Sequence, residues 1–132
     1  MDLRAVLASS LILPPLLVGC SPAQQITATS WEGSPDGEWL TRVARYDTVG
    51  PGINSLYETV QLKRRSADKG AELLTLDESD VLPETLKGSP NITLHWRDRT
   101  HLEIGYRAGQ ILHQVVKVAD VVVETRRSAV ER

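Results

Sequence analysis

Few residues in this chain are equipped for chemistry. Its one cysteine, Cys20, closes the apolar run LILPPLLVGC; three histidines, His95, His101 and His113, lie in the last third; an acidic run, Asp77-Glu78-Ser79-Asp80, lies between. His95 and His113 could build a metal or acid–base site with Asp98 or Glu103 if their strands paired, but strand-face histidines exposed to solvent are the plainer reading. The acidic run offers oxygen ligands to calcium yet lacks the glycine-punctuated spacing of a calcium loop, so it reads as a solvated turn. The glycine-rich stretch TVGPGIN does not lead from a strand into a helix, as a phosphate cradle requires. The sequence has no Gly-x-Ser-x-Gly elbow, no His-Glu-x-x-His and no cysteine pair, the patterns that would announce a nucleophile or a zinc centre. No catalytic residue, metal site or cofactor is assigned.

Cys20 takes its meaning from what precedes it. Ala5 to Val18 is apolar apart from Ser9 and Ser10. At about 14 residues it is shorter than the roughly 20 a spanning helix needs, and Pro14 and Pro15 interrupt a helix further. A cleaved signal segment fits both facts. Leu17-Val18-Gly19-Cys20 resembles the lipobox of bacterial lipoproteins: an aliphatic residue, compact residues before the cut, then the obligatory cysteine. The resemblance implies diacylglycerol on the Cys20 thiol and cleavage between Gly19 and Cys20. Two or three acyl chains anchor stably, at about 0.8 kcal/mol per buried CH₂. The n-region departs from the pattern, because Asp2 offsets Arg4. Ser21 is not the aspartate that would imply inner-membrane retention, so the expected address is the outer membrane, facing the periplasm. Cys20 is thus expected to be a lipid attachment point and not a nucleophile.

Composition limits the remainder. Residues 20–132 have the length of one domain and can bury a workable core without covalent staples. A disulfide is excluded with a single cysteine. The formal charge is −2, and nothing resembles the basic patch that nucleic-acid binding needs. Lys63-Arg64-Arg65 and Arg126-Arg127 read as solvated strand ends.

Residues 20–26 are expected to form the lipidated cysteine and a short polar tether, reaching about 20 Å at most, residues 27–127 a β domain, and residues 128–132 a tail. TATSWE and WLTRVARY alternate about the turn Pro35-Asp36-Gly37 and predict a hairpin. Asp47 to Asn54 is expected to be a loop broken by Gly50-Pro51-Gly52. SLYETVQLKR and AELLTLDE predict two further strands, and Leu82 to Leu86 could hold a helical turn. NITLHWRD and LEIGYR predict a second hairpin. Joining Asp98 to Leu102 across a loop Arg99-Thr100-His101 sets Trp96 opposite Ile104 and Arg97 opposite Glu103. QILHQVVKV and VVVETRR predict two last strands, divided at Ala119-Asp120. Trp31, Trp39 and Trp96 occupy alternation positions expected in the core; one left exposed would mark an interface.

About seven short strands and no long helix predict an all-β fold, a small antiparallel β-sandwich or a strongly curved sheet. SPDGEWLTRVAR resembles the Ser-Pro-Asp-Gly hairpin in blades of TolB-like β-propellers, but it occurs once where a propeller repeats it about every 40 residues. Trp96, Asp98, Leu102, Ile104 and Tyr106, with the early Ser-Pro-Asp-Gly turn, are similar to a group of small exported bacterial proteins; that resemblance implies no activity. The expected role is a non-enzymatic binding or accessory module of the cell envelope. It would touch the membrane through Cys20, and an envelope protein or a glycan through a sheet edge or through Asp47, Gly50, Pro51, Gly52, Asn54, Arg99 and His101. The alternatives are an inhibitor or immunity-type lipoprotein directed at an envelope hydrolase, and a small histidine-dependent hydrolase.

Overall fold

Every alternating run contributes a strand. The computed structural model describes residues 23–86 and 88–128. In chain order the strands are Ala23–Ala28 (β1), Glu32–Gly33 (β2), Trp39–Gly50 (β3), Ile53–Arg64 (β4), Ala71–Asp77 (β5), Ile92–Asp98 (β6), His101–Tyr106 (β7), Gln110–Gln114 (β8), Lys117–Val118 (β9) and Val121–Arg127 (β10); one helical turn, Pro83–Leu86 (α1), lies between β5 and β6. They make two sheets. The first runs β1-β3-β4-β5-β8 with β2 also on β3, and the second runs β6-β7-β10-β9. Val60, Leu62, Leu73, Leu74 and Leu76 of the first meet Ile92, Leu102, Ile104, Val121 and Val123 of the second in one buried cluster. Each such side chain contributes about 1.5–3 kcal/mol by leaving water, and the fold is a β-sandwich.

The Ser-Pro-Asp-Gly segment folds as its residues dictate. Gly37 takes φ 75° and donates its N–H to the Ser34 carbonyl at 2.8 Å. The Ser34 hydroxyl bonds Asp36 Oδ1 at 2.8 Å and accepts the Trp39 N–H at 3.1 Å. The turn is stapled from within and serves a sandwich, not a propeller blade.

Four features depart from expectation. Ala23 to Ile26, expected as tether, are strand, paired with β3 from Ala23↔Val49 to Ala28↔Ala44. All six β1 side chains are exposed, so no apolar alternation announced it; backbone hydrogen bonds hold this edge, with one side-chain bond from Gln24 Nε2 to Thr48 Oγ1 at 3.4 Å. The expected loop Asp47 to Asn54 is also strand. β3 and β4 pair without interruption to Gly50↔Ile53, and Pro51-Gly52 turns the chain, with Gly52 at φ 74° in the second corner that demands glycine. The β6–β7 turn is Arg99-Thr100, with Asp98 opposite His101 and a register shift at Arg97 that leaves Trp96 opposite Leu102. Asp98 Oδ1 accepts the Thr100 N–H at 2.8 Å, and the bulge does what a longer loop was expected to do: it keeps the apolar face in register. Lastly, β10 runs parallel to β7. β8 leaves the second sheet to pair with β5 of the first, so the chain returns to β7 by a crossover, as a parallel neighbour requires.

β3 and β4, at twelve residues each, are about 40 Å long, while β6, β7 and β10 are nearer 20 Å. The buried cluster takes Trp39 from β3, with the partly buried Val43 packed against it, and Val60 and Leu62 from β4. Toward Pro51-Gly52 the long hairpin therefore overhangs the second sheet.

Candidate functional site

Cys20 and Gly19 lie outside the described residues. The expected contact residues do not gather. Asp47 faces Leu56 and Gln25, and Asn54 faces Val49, all within the first sheet. Pro51 and Gly52 form the hairpin tip. Arg99 sits at the other end of the sandwich, close enough to Asp36 of the Ser-Pro-Asp-Gly turn to help lower its carboxyl pKa, behind the larger effect of the Ser34 hydrogen bond. The two turns lie at opposite ends of the first and second sheets.

Nor do the histidines converge. His113 is on β8 in the first sheet, opposite Thr75, with Nε2 at 3.1 Å from the Glu72 carbonyl. His95 is on β6, opposite Glu103. His101 Nδ1 lies 2.9 Å from Asp98 Oδ1, and this partner, with the Thr100 N–H, holds the Asp98 carboxyl down at about 2. Across the outer face of the second sheet His95, Glu103 and Glu124 form one row, above a shallow groove of about 180 Å³. Both carboxylates are engaged: Arg97 Nε reaches Glu103 at 2.6 Å and Arg126 reaches Glu124 at 2.8 Å. Arg126 keeps Glu124 below the usual carboxylate range. The row is a neutralised surface. Among the described residues no three of His, Cys, Asp and Glu are placed to hold a metal ion.

A concavity beside a buried, unpartnered carboxyl oxygen lies under the overhang. Glu78, expected in a solvated turn, is 2 % exposed. Its N–H bonds the Leu56 carbonyl at 2.8 Å, which draws the chain inward at the end of β5. Its Oε2 has no hydrogen-bond partner. Burial pushes the Glu78 carboxyl up to about 9, and the neighbouring Glu58 carboxyl pushes the same way, while Asn91 and Arg45 pull it down. Glu58 itself stands opposite Arg45 on β3 and Leu76 on β5. At neutral pH the Glu78 carboxyl thus keeps its proton. Beside them a cleft of about 250 Å³ is walled by Leu56, Val81, Leu82 and Leu86, with Arg45 on its exposed side. Such a site can donate one hydrogen bond and accept several. It can take a cation only by giving up its proton.

A signal for Glu78 was present in the alternation: Leu74, Leu76 and Glu78 fall two residues apart, so the strand period carries the acid onto the core face. Glu58 lies likewise between Leu56 and Val60.

No protein-family model, curated protein or solved structure matches this chain.

Proposed function

We propose that the chain is a lipid-anchored module of the bacterial cell envelope, tethered through Cys20 at the outer membrane on its periplasmic side, and that it works by binding an envelope protein or glycan without catalysing a reaction. The observation that carries this reading is the start of β1. Ala23 already pairs with Val49, three residues after Cys20, a reach of about 10 Å, half that of the tether expected from the sequence. A lipid on Cys20 would hold the sandwich against the bilayer with Pro51-Gly52 and the overhang nearest the headgroups, and the Ser-Pro-Asp-Gly end pointing away. The restraint of the polar groups supports a binding role: Glu103 and Glu124 on the second sheet are ion-paired, and the unpartnered carboxyl oxygen of Glu78 is buried.

The test is the mass of the N-terminal peptide from membrane-extracted protein, together with fractionation of Cys20→Ala. A diacylglycerol adduct on Cys20, and release of the variant from the membrane, are expected. An unmodified Cys20 with Gly19 still attached, or membrane retention unchanged in the variant, overturns the anchoring.

A further inference from the structure

The outer face of the first sheet carries a groove that neither the core nor the overhang uses. Arg42 stands opposite Gln61, and Leu40 opposite Lys63, so Arg42, Gln61 and Lys63 rise on one side of the β3–β4 pair. Gln61 Oε1 accepts a hydrogen bond from Arg42 Nε at 2.7 Å, fixing the guanidinium. Across these side chains lies Trp31, its ring centroid 4.3 Å from the Arg42 guanidinium carbon and 4.9 Å from the Lys63 ammonium. Two cations on one indole hold it in place, yet Trp31 stays half-exposed. Trp39 and Trp96 pack in or against the core cluster, and Trp31 does not.

The groove has a volume of about 310 Å³, with Trp31 on one side and the β4–β5 loop, Asp68 and Lys69, on the other; that is the lower end of the range for small-molecule sites. Arg42, Lys63 and Lys69 supply donors; Asp68 and Glu72 supply acceptors. Among the described residues, none of these five is in an ion pair.

We propose that this groove binds a saccharide unit bearing a carboxylate. A sugar ring offers an apolar C–H face to an aromatic side chain and hydroxyls that donate and accept at its edge, the combination that Trp31 and the mixed polar rim present. Three cations against two carboxylates leave an excess positive charge, which selects an acidic sugar over a neutral one. A polyphosphate chain is disfavoured because Asp68 and Glu72 would face it. The bilayer that holds Cys20 is out of reach: Lys63 lies ten residues along β4 from the hairpin tip, about 33 Å. That this sugar belongs to an envelope polymer rests on the anchoring proposed above, whereas the binding chemistry does not.

The experiment titrates trigalacturonate into the full-length protein in detergent and follows tryptophan fluorescence and heat, with neutral galactotriose and inorganic phosphate in parallel. Saturable quenching by the uronate is expected, weaker by about tenfold with the neutral trimer and absent with phosphate. Trp31→Ala and Lys69→Ala should each weaken uronate binding about tenfold, the size of a stacking or cationic contribution. Cys20→Ala should bind as the parent does, which separates this site from the anchor. Lys69 is on an exposed loop, so its variant decides the matter should Trp31→Ala fail to fold. No saturable binding up to about 10 mM, equal binding of phosphate, or uronate binding unchanged in Lys69→Ala overturns the proposal.

Discussion

Replacing Glu78 by glutamine should flatten the dependence of stability on pH. In the folded chain the carboxyl titrates at about 9, for the burial and Glu58 reasons given above; in the unfolded chain it titrates near the ordinary value of 4.5. Because the folded value is the raised one, the protonated carboxyl contributes fully below about pH 4.5, and that contribution is lost as pH climbs toward 9. Within this window each pH unit costs at most about 1.4 kcal/mol, so the ceiling from pH 5.5 to pH 8.5 is about 4 kcal/mol. The adjoining cleft brings water near the pair and weakens the penalty; about 2 kcal/mol is the working figure, a large part of the 5–15 kcal/mol that stabilises a domain of this size. The substituted amide cannot ionise, and it can donate to Glu58 as the protonated acid does. Urea unfolding at pH 5.5, 7 and 8.5 should therefore show parent and Glu78→Gln within about 1 kcal/mol at the lowest pH, and the variant ahead by about 2 kcal/mol at the highest. Glu58→Gln should shrink the same slope by removing the like charge. If the parent's slope survives in Glu78→Gln, the reasoning fails.

Other outcomes follow from single contacts. Asn91, 4 % exposed, donates to the Ala108 carbonyl at 2.8 Å and accepts from the N–H groups of Ala108 and Arg107 at 2.8 and 3.1 Å. Asn91→Ala strands both Ala108 groups, while the Arg107 N–H keeps its bond to the backbone carbonyl of residue 91 at 3.1 Å, and denaturant melts should register a loss of about 2–4 kcal/mol. Gly52→Ala must place a side chain at φ 74°, so its unfolding midpoint should fall by the equivalent of about 1 kcal/mol, and Gly52→Asn, which tolerates that region, by less. Leu76→Ala, made at a fully buried site, should cost about 2–5 kcal/mol; a smaller loss in calorimetry would mean that the two sheets close over the gap.

What could be read in the sequence was local. Alternation and turn chemistry located the hairpins about Pro35-Asp36-Gly37 and about Asp98 to His101, and Gly37 stands at positive φ where the Pro-Asp-Gly turn needed it; the breaker Gly50-Pro51-Gly52 was legible too, but not how tightly it turns. What could not be read was which strand neighbours which. VVVETRR looks the same whether it joins its partner antiparallel or parallel, and nothing local tells QILHQ to cross to the other sheet. Bulges erased register arguments at single residues. One falls at Leu73, where the pairing steps from Val60↔Leu74 to Gln61↔Glu72 and lets Leu73 and Leu74 both be buried; another falls at Arg97. The side-chain contact between Arg97 and Glu103 formed even so. Of the chemistry, Glu78 was misjudged because an acidic tetrapeptide reads as solvent-facing, although its spacing from Leu74 and Leu76 said otherwise.

The way β1 joins the sheet also fixes how the fold carries load. Tension entering from the N-terminal side of Ala23 runs along the axis of β1, toward the same end of the sheet as the Pro51-Gly52 tip. The whole ladder with β3, from Ala23↔Val49 to Ala28↔Ala44, is then pulled in shear, its hydrogen bonds bearing force together. Peeling from the other end would break them one by one. A strand that buries no side chain, and adds little to thermal stability, is thereby the element that resists extraction by force from that terminus.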